Sequence, residues 1–289
     1  MTFKKIFSIF VVFFLIPIFW SGNFIIATLD TYFNPLFYDE EFTNVIYEES
    51  KAFIVSDIIK QNLDFLQDIP REELNIIVSK HYQSSDVAQI INQIIQGIVN
   101  YQAGAEILIS LEEIKLAAKN IVEEILAYSN IVNAVYTLSQ ADFYEYIPAQ
   151  INLTEKINQS VLEKLNMLFV NNNFFKFGLI FFMLCGFFVL YFFITDLKKK
   201  RIFYSGISLL VISTVNFIWM IIFFTFLKNV FIKNFPIERI NNVKIDLNPE
   251  IYNVFINPLH DKMQLEILIL FLIGLILMVV GIKIMKDNL

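Results

Sequence analysis

The sequence predicts an all-α membrane protein, with four transmembrane helices and an extracytoplasmic helical bundle inserted between the first and the second. Three observations predict this fold class. The 289 residues are 56% hydrophobic and only 17% charged, whereas soluble domains carry about 25% charged residues. Four apolar stretches are long enough to cross a hydrocarbon core, which takes about 20 helical residues. Basic and acidic side chains are segregated along the chain.

The four apolar stretches contain no Asp, Glu, Lys, Arg or His, and they cover residues 6–29, 177–195, 202–227 and 267–282. The first follows Lys4 and Lys5, as in a secretory signal. Its apolar character, however, continues past Trp20 to Leu29 without a small-x-small cleavage site. We therefore expect an uncleaved anchor that is kinked at Pro17.

The basic cluster at residues 198–201 lies between the second and third apolar stretches, and cytoplasmic loops are enriched in Lys and Arg. This predicts a multi-pass protein of the cell membrane with both termini in the cytoplasm and with residues 30–172 and 228–266 outside. Residues 30–172 carry 21 acidic and 8 basic side chains, a net charge of −13, while the rest of the chain carries +7. An acidic domain is unsuited to nucleic acid, so the predicted partners are the lipid bilayer and a membrane protein or a second copy.

The predicted domains are residues 1–29 (a cytoplasmic stub and the first span), 30–172 (the extracytoplasmic domain) and 173–289 (the other three spans and the second outer loop). We expect the extracytoplasmic domain to be entirely helical. Its predicted helices are residues 40–66, a short helix from Pro70, residues 85–101, a helix capped by Ser110 and Glu113, residues 132–144, and a helix capped by Asn152. The last either continues into the second span or breaks at residues 171–173. The second outer loop is expected to hold at most a short helix at Pro249.

Helical spacing predicts which faces of these helices are buried. In residues 40–66 the predicted buried face is Phe42, Val45, Ile46, Phe53, Ile54, Ile58, Leu63 and Leu66. In residues 85–101 it is Ile90, Ile91, Ile94, Ile95, Ile98 and Val99, with Gln89, Asn92, Gln93, Gln96 and Asn100 on the solvated face. In the helix after Ser110 it is Ile114, Ala118, Ile121, Val122 and Ile125.

Motifs that carry chemistry are not found in the sequence. There is no GxGxxG, Walker loop, GxSxG or HExxH pattern. His81 and His260 could form a metal site with Asp86 or Asp261, but without ligand spacing we interpret both as solvated. Cys185 is the only cysteine, which excludes an intramolecular disulfide, and it is interpreted as a packing residue. The pairs Glu112–Glu113 and Glu123–Glu124 are interpreted as a solvated helix face. The sequence therefore predicts no catalytic residue, no cofactor and no metal.

Within the apolar stretches, Asn23 and Asn216 are interpreted as interhelical hydrogen-bonding residues, with a transport site as the alternative. The glycine pairs Gly274–Gly281 and Gly178–Gly186 fall on one face of the fourth and second spans. Because small residues allow helices to approach closely, they predict a packed four-helix membrane bundle.

Two segments carry a resemblance: NPLFYDEEF after the first span, and VNYQAGAEILISLEEIK, residues 99–115, where a Tyr-x-x-Gly turn leads into a helix. In these segments and in its layout the chain resembles a group of uncharacterised prokaryotic four-span membrane proteins with a large helical extracytoplasmic domain between spans one and two. The resemblance implies the architecture and no activity.

Three functions fit these observations. The first is a non-catalytic membrane protein whose extracytoplasmic domain binds, senses or scaffolds an envelope component, which could be a lipid, a polymer or a protein. The second is a component of a transporter or channel, and the third is a membrane enzyme acting on a lipid-linked substrate. We favour the first, since the sequence offers neither a catalytic motif nor a charge within the apolar stretches.

Overall fold

In the computed structural model the chain forms two compact units, which we describe separately. The structure describes residues 3–60, 69–128, 147–195, 198–234, 236–240, 243–246 and 249–286. The membrane unit consists of Met1–Asn34, Asn171–Phe235 and Phe255–Leu289. The insert unit consists of Pro35–Val170 and Pro236–Val254, and we name it so because most of it lies between the first two spans in the sequence.

The described elements are mostly helices, with two short strand pairs. In chain order they are α1 (Phe3–Tyr32), α2 (Glu40–Lys60), α3 (Arg71–His81), α4 (Ser84–Val99), β1 (Leu108–Ser110), α5 (Glu112–Tyr128), β2 (Gln150–Asn152), α6 (Leu153–Lys156), α7 (Gln159–Val170), α8 (Asn172–Phe193), α9 (Lys198–Asn234), β3 (Pro236–Ile240), β4 (Val243–Asp246) and α10 (Pro249–Lys286).

The four predicted apolar stretches are confirmed as helices long and apolar enough to cross a membrane: α1, α8, α9 and α10. α1, α9 and α10 extend beyond both ends of their predicted stretches, whereas α8 starts five residues earlier than predicted and ends two residues earlier, at Phe193. α1 continues through Pro17. The prediction of at most a short helix at Pro249 is wrong, because α10 starts there and runs through Pro258 to Lys286. The helix predicted from Asn152 breaks twice, at residues 157–158 and at Asn171, the second break being one of the two alternatives predicted.

Two apolar clusters hold the membrane unit together. One joins α1, α8 and α9 through Leu15, Phe19, Ile26, Met183, Leu190, Leu209 and Ile212. The other joins α1, α9 and α10 through Ala27, Met220, Phe224, Leu259, Met263 and Ile267.

Glycines bring α9 and α10 into backbone contact. A Cβ added at Gly206 would lie 2.5 Å from the backbone nitrogen of Met278, and one at Gly281 would lie 2.6 Å from the backbone of Phe203. The predicted role of Gly274 and Gly281 in close helix packing is therefore confirmed. The same prediction is wrong for Gly178, which has open space around it.

The insert unit has two apolar clusters. The first packs α2, α3 and α5 together with the start of α4, through Val55, Ile69, Leu74, Ile77, Val78, Tyr82, Val87, Ala117, Ile121 and Ile125. The second packs the end of α4 against β1 and α7, through Ile98, Tyr101, Ile107, Ile109 and Leu162. Together they bury one face of each of the longer helices.

Short strands correct the prediction of an entirely helical domain. After a turn at Gly104, whose φ of +87° is natural only for glycine, β1 pairs antiparallel with β2, with Ile109 opposite Ile151. In the second predicted loop, β3 and β4 form a hairpin with Ile237 opposite Ile245. β1 pairs with residues about forty positions later in the chain, so local sequence patterns do not predict this strand pair.

The predicted buried faces are partly right. In α4, Ile95 and Ile98 are buried with Val87, while the other predicted positions are half-buried. Gln93 is not on a solvated face, since its Oε1 accepts the Ser110 backbone N–H at 2.7 Å and so ties α4 to β1. In α2, Phe53 is exposed and Val55 is fully buried instead. Leu63, Leu66 and the helix predicted at residues 132–144 lie outside the described residues.

Helix capping differs from the prediction at the start of α5. Ser110 lies in β1, and its Oγ is 3.5 Å from the Glu112 nitrogen, so the predicted capping box with Glu113 does not form. Asn152 does cap a helix, because its Oδ1 accepts the Thr154 N–H at 3.0 Å, although that helix, α6, has only four residues.

Candidate functional site

A polar groove of about 620 Å³ runs between α2 and α4 in the insert unit, and we call it the α2–α4 groove. The volume is within the range of small-ligand sites, about 300–1,000 Å³. Its walls carry carboxylates, amides and hydroxyls above an apolar floor. The lining residues are Pro35, Tyr38, Asp39, Glu40, Thr43, Asn44, Ser84, Ser85, Ala88, Gln89, Ile91, Asn92, Ile95 and Gln96.

The start of α2 orders one wall of the groove. Asp39 caps this helix, since its Oδ1 accepts the Phe42 N–H at 3.1 Å. Glu40 and Glu41 follow in the first turn, where the helix dipole favours negative charge. Thr43 is buried and donates its hydroxyl to the Asp39 carbonyl at 2.7 Å. This wall therefore has a defined backbone and presents carboxylates because of capping chemistry.

The polar face of α4 forms the other wall. Asn92 and Gln96 are exposed, and Ile95 is buried at the base. Gln89, with its NH2 oriented toward α5, donates to the two carboxylate oxygens of Glu113 at 3.2 and 2.5 Å. Asn92 and Gln96 also line the groove, and unlike Gln89 they are not hydrogen-bonded to α5 in the described structure.

The charge of the groove is negative. Among the residues that the structure describes, its lining contains Asp39 and Glu40 and no Lys, Arg or His. A second cavity of about 630 Å³ shares Glu40 and Asn44 with it, and adds the carboxylates of Glu41 and Glu250. Burial raises the pKa of the Tyr38 phenol, so this side chain is a neutral hydroxyl at pH 7. An uncharged or cationic polar ligand suits such a site, and an anion does not.

No family model, curated protein or solved structure matches the chain. The resemblance to four-span membrane proteins therefore stays a prediction, and the site is interpreted from its own residues.

The two histidines are not solvated in the way the sequence suggested. His81 Nε2 contacts Glu124 Oε2, and Lys80 Nζ approaches the same carboxylate at 2.8 Å, which connects α3 to α5. His260 packs edge to face on Phe224, with ring centroids 4.9 Å apart, and its Nδ1 is 3.2 Å from Asp261. Glu124 therefore forms an ion pair, which corrects its interpretation as part of a solvated helix face. In the described part of the chain, no three His, Cys, Asp or Glu side chains are grouped as a metal site.

The Glu124 cluster makes the stability of the insert unit depend on pH. The Lys80 ammonium, and then His81, hold the pKa of Glu124 below its usual value of 4.5. A lowered folded-state pKa means that the cluster stabilises the fold above about pH 4.5 and loses this contribution as the pH falls through the lowered value. We expect Glu124→Gln to lower the melting temperature of the full chain at pH 7, and we expect this difference to shrink as the pH falls below about 4.5.

Glu123→Gln is the matched control, because Glu123 is more exposed and its Lys119 partner is 3.8 Å away. Its melting temperature should follow the unmodified chain at every pH. A Glu124→Gln difference that is the same at pH 7 and pH 3 would contradict this assignment.

Three charged residues that border the predicted apolar stretches, Asp30, Lys176 and Glu266, were not identified as a group from the sequence. Lys176 Nζ on α8 is 2.5 Å from Asp30 Oδ1 on α1, and both interact electrostatically with Glu266 on α10. The Glu266 Oε2 is buried and has no hydrogen-bond partner among the described residues. The sequence does contain an indication of this group. Each of the three residues directly borders an apolar stretch, on the side predicted to be outside.

The remaining predicted positions in the membrane unit also need correction. Cys185 is exposed on the helix surface, so it is not a packing residue within this chain. Asn216 is fully buried, and both of its amide atoms lack a hydrogen-bond partner among the described residues. The interhelical hydrogen bond predicted for it is therefore not observed.

A second groove, of about 810 Å³, lies between α1 and α9, and its described lining consists of apolar and aromatic residues, including Trp20 and Trp219. It lies within two candidate spans, where lipid chains are the solvent. The polar side-chain groups of its described lining residues are the indole N–H groups of Trp20 and Trp219. The α2–α4 groove, which carries carboxylates, amides and hydroxyls, is therefore the better candidate site.

Proposed function

We propose that this is a non-catalytic, multi-pass membrane protein whose insert unit binds an uncharged or cationic polar component of the cell envelope through the α2–α4 groove. The observation that supports the proposal is the described lining of that groove, which combines amides, hydroxyls and two carboxylates and includes no basic residue. The net charge of −13 on residues 30–172 would add attraction for a cationic ligand. Neutral polymers rich in hydroxyl groups would use the amides and hydroxyls.

The proposal is tested by titrating the full chain, in lipid nanodiscs, with spermine as a cationic probe and chitotetraose as a neutral one. Asn92→Trp places a large side chain in the groove at an exposed position, so the fold should be retained. We expect it to weaken binding by about tenfold or more, a loss of about 1.4 kcal/mol. Spermine binding should weaken with added salt, and chitotetraose binding should not.

Gln102→Trp is the matched control, because Gln102 is exposed and is not part of the groove lining. It should bind both probes as the unmodified chain does. Equal binding by the two tryptophan variants would exclude the groove, and the absence of saturable binding of either probe would exclude this ligand class.

The orientation that belongs to this proposal places residues 30–172 and 228–266 outside and both termini in the cytoplasm. Its support is the basic cluster at residues 198–201 and the acidic segment between the first two spans. In a Cys185→Ser background, cysteine at Gln102 should react with an impermeant maleimide in intact cells, and cysteine at Lys200 should react only after lysis. Both positions are exposed, unlike Gln93, which is half-buried. The reverse labelling pattern would overturn the orientation.

A transporter component is the second candidate function. The observation that favours it is the Asp30–Lys176–Glu266 group, since ionisable residues near membrane helices often line ion pathways. If the protein is a transporter, proteoliposomes that contain the Glu266→Gln variant should lose the flux of ions or solutes across the bilayer. Proteoliposomes that contain Asn92→Trp should keep it. The binding function predicts the opposite sensitivity, with Asn92→Trp impaired and Glu266→Gln intact.

A further inference from the structure

The buried polar side-chain atoms that have no hydrogen-bond partner are unevenly distributed. In the described part of the chain all eight of them belong to the membrane unit, and three are amide atoms of Asn23 and Asn216. Asn23 is 2% exposed and Asn216 is fully buried. An unpaired amide in a low-dielectric interior is costly, so these atoms need a partner.

Helix packing places the two asparagines at the same level. On α1, Asn23 lies four residues after Phe19 and four before Ala27. On α9, Asn216 lies four residues after Ile212 and four before Met220. Phe19 and Ile212 belong to one cluster, and Ala27 and Met220 belong to the other. Residues four apart share a helix face, so both amides lie between the two clusters, on the sides where α1 and α9 pack together.

The chemistry of the three unpaired atoms limits what can satisfy them. They are two donors, the Nδ2 groups of Asn23 and Asn216, and one acceptor, Asn216 Oδ1. A cation would leave both donors unpaired. An anion would be buried among apolar side chains without an opposite charge, which is unfavourable. A water molecule accepts two hydrogen bonds and donates up to two, and buried waters in proteins typically make about three.

We propose that Asn23 and Asn216 form a binding site for a single water molecule at the centre of the membrane unit. The water accepts from both Nδ2 groups and donates to Asn216 Oδ1, and so connects α1 to α9 in the layer between the two apolar clusters. This role is independent of ligand binding at the α2–α4 groove.

A double-mutant cycle on the full chain in lipid nanodiscs tests whether the two amides share one site. Leucine is apolar and similar in size to asparagine, so Asn23→Leu and Asn216→Leu each remove part of the site and leave the other amide unsatisfied. Each should lower the apparent melting temperature by roughly 2–4 °C. The double variant should lose less than the sum of the two, because it leaves no unpaired amide. Ile218→Leu, at an exposed position beside Asn216, is the control and should not shift the melting temperature.

Solid-state NMR of the chain in bilayers, with 15N in the asparagine side chains, identifies the occupant. Magnetisation from water should reach the Nδ2 groups of Asn23 and Asn216, and each signal should disappear in the leucine variant of the other residue. Additive losses in the cycle would show that the amides do not share a site. A coupled cycle without transfer from water would show that the amides bond to each other directly. Either result would overturn the proposal.

Discussion

Replacing Leu162 by alanine is expected to lower the free energy of unfolding of the insert unit by about 2–5 kcal/mol. Leu162 on α7 is fully buried and packs against Ile98, Ile107 and Ile109. The substitution removes three carbons from a cluster that joins α4, β1 and α7, and neighbours held in strand and helix backbones can close the cavity only in part. Chemical denaturation of the full chain, followed by circular dichroism, measures the loss.

Val161→Ala is the matched control for Leu162→Ala, because it is the adjacent residue on the same helix and its side chain is 46% exposed. We expect a change within about 0.5 kcal/mol. Equal losses in the two variants would mean that α7 does not pack on the α4–β1 cluster. Gln93→Ala would not be a suitable control, since it would remove the hydrogen bond from the Ser110 backbone N–H.

Replacing Gly206 by alanine is expected to destabilise the membrane unit by about 1–3 kcal/mol. The added Cβ would lie 2.5 Å from the Met278 nitrogen and 2.8 Å from the Gly274 carbonyl oxygen. Both are backbone atoms, so no side-chain rotation relieves the overlap, and α9 and α10 must separate. The apparent melting temperature of the full chain in nanodiscs should fall accordingly.

Gly178→Ala makes the same chemical change in α8, where the added Cβ meets nothing within 4 Å. Alanine also has the higher helix propensity, so this variant should be as stable as the unmodified chain or slightly more so. If both glycine variants lost the same stability, the close approach of α9 and α10 would not be the reason for the loss at Gly206.

The sequence by itself predicted the features that depend on local composition and periodicity. The four apolar helices follow from length and hydropathy, because a helix satisfies its own backbone hydrogen bonds and needs no distant partner to be recognised. The Asn152 cap and the buried Ile95 and Ile98 of α4 follow from spacing within one helix. The break at Asn171 was one of two alternatives, and the structure decided between them.

The candidate site was not predictable in the same way. Each wall of the α2–α4 groove is an ordinary polar helix face or helix start, and the groove exists only because α2 and α4 lie side by side in the insert unit. Helical spacing predicts Asn92 and Gln96 on the solvated face of α4, and both side chains are exposed. Nothing within α4 alone shows that these side chains face a second polar wall.

Several of the corrections to the prediction come from contacts between residues that are far apart in sequence. The β1–β2 pair joins residues about forty positions apart, Glu124 on α5 contacts Lys80 and His81 at the end of α3, and Asp30 contacts Lys176, which is 146 positions later in the sequence. Hydrophobic periodicity indicates which face of a helix is apolar and therefore tends to be buried, because that pattern is contained in the helix's own residues. It does not show which polar groups meet, because the free energy of a hydrogen bond or ion pair depends on a partner that only the folded chain brings within about 3 Å.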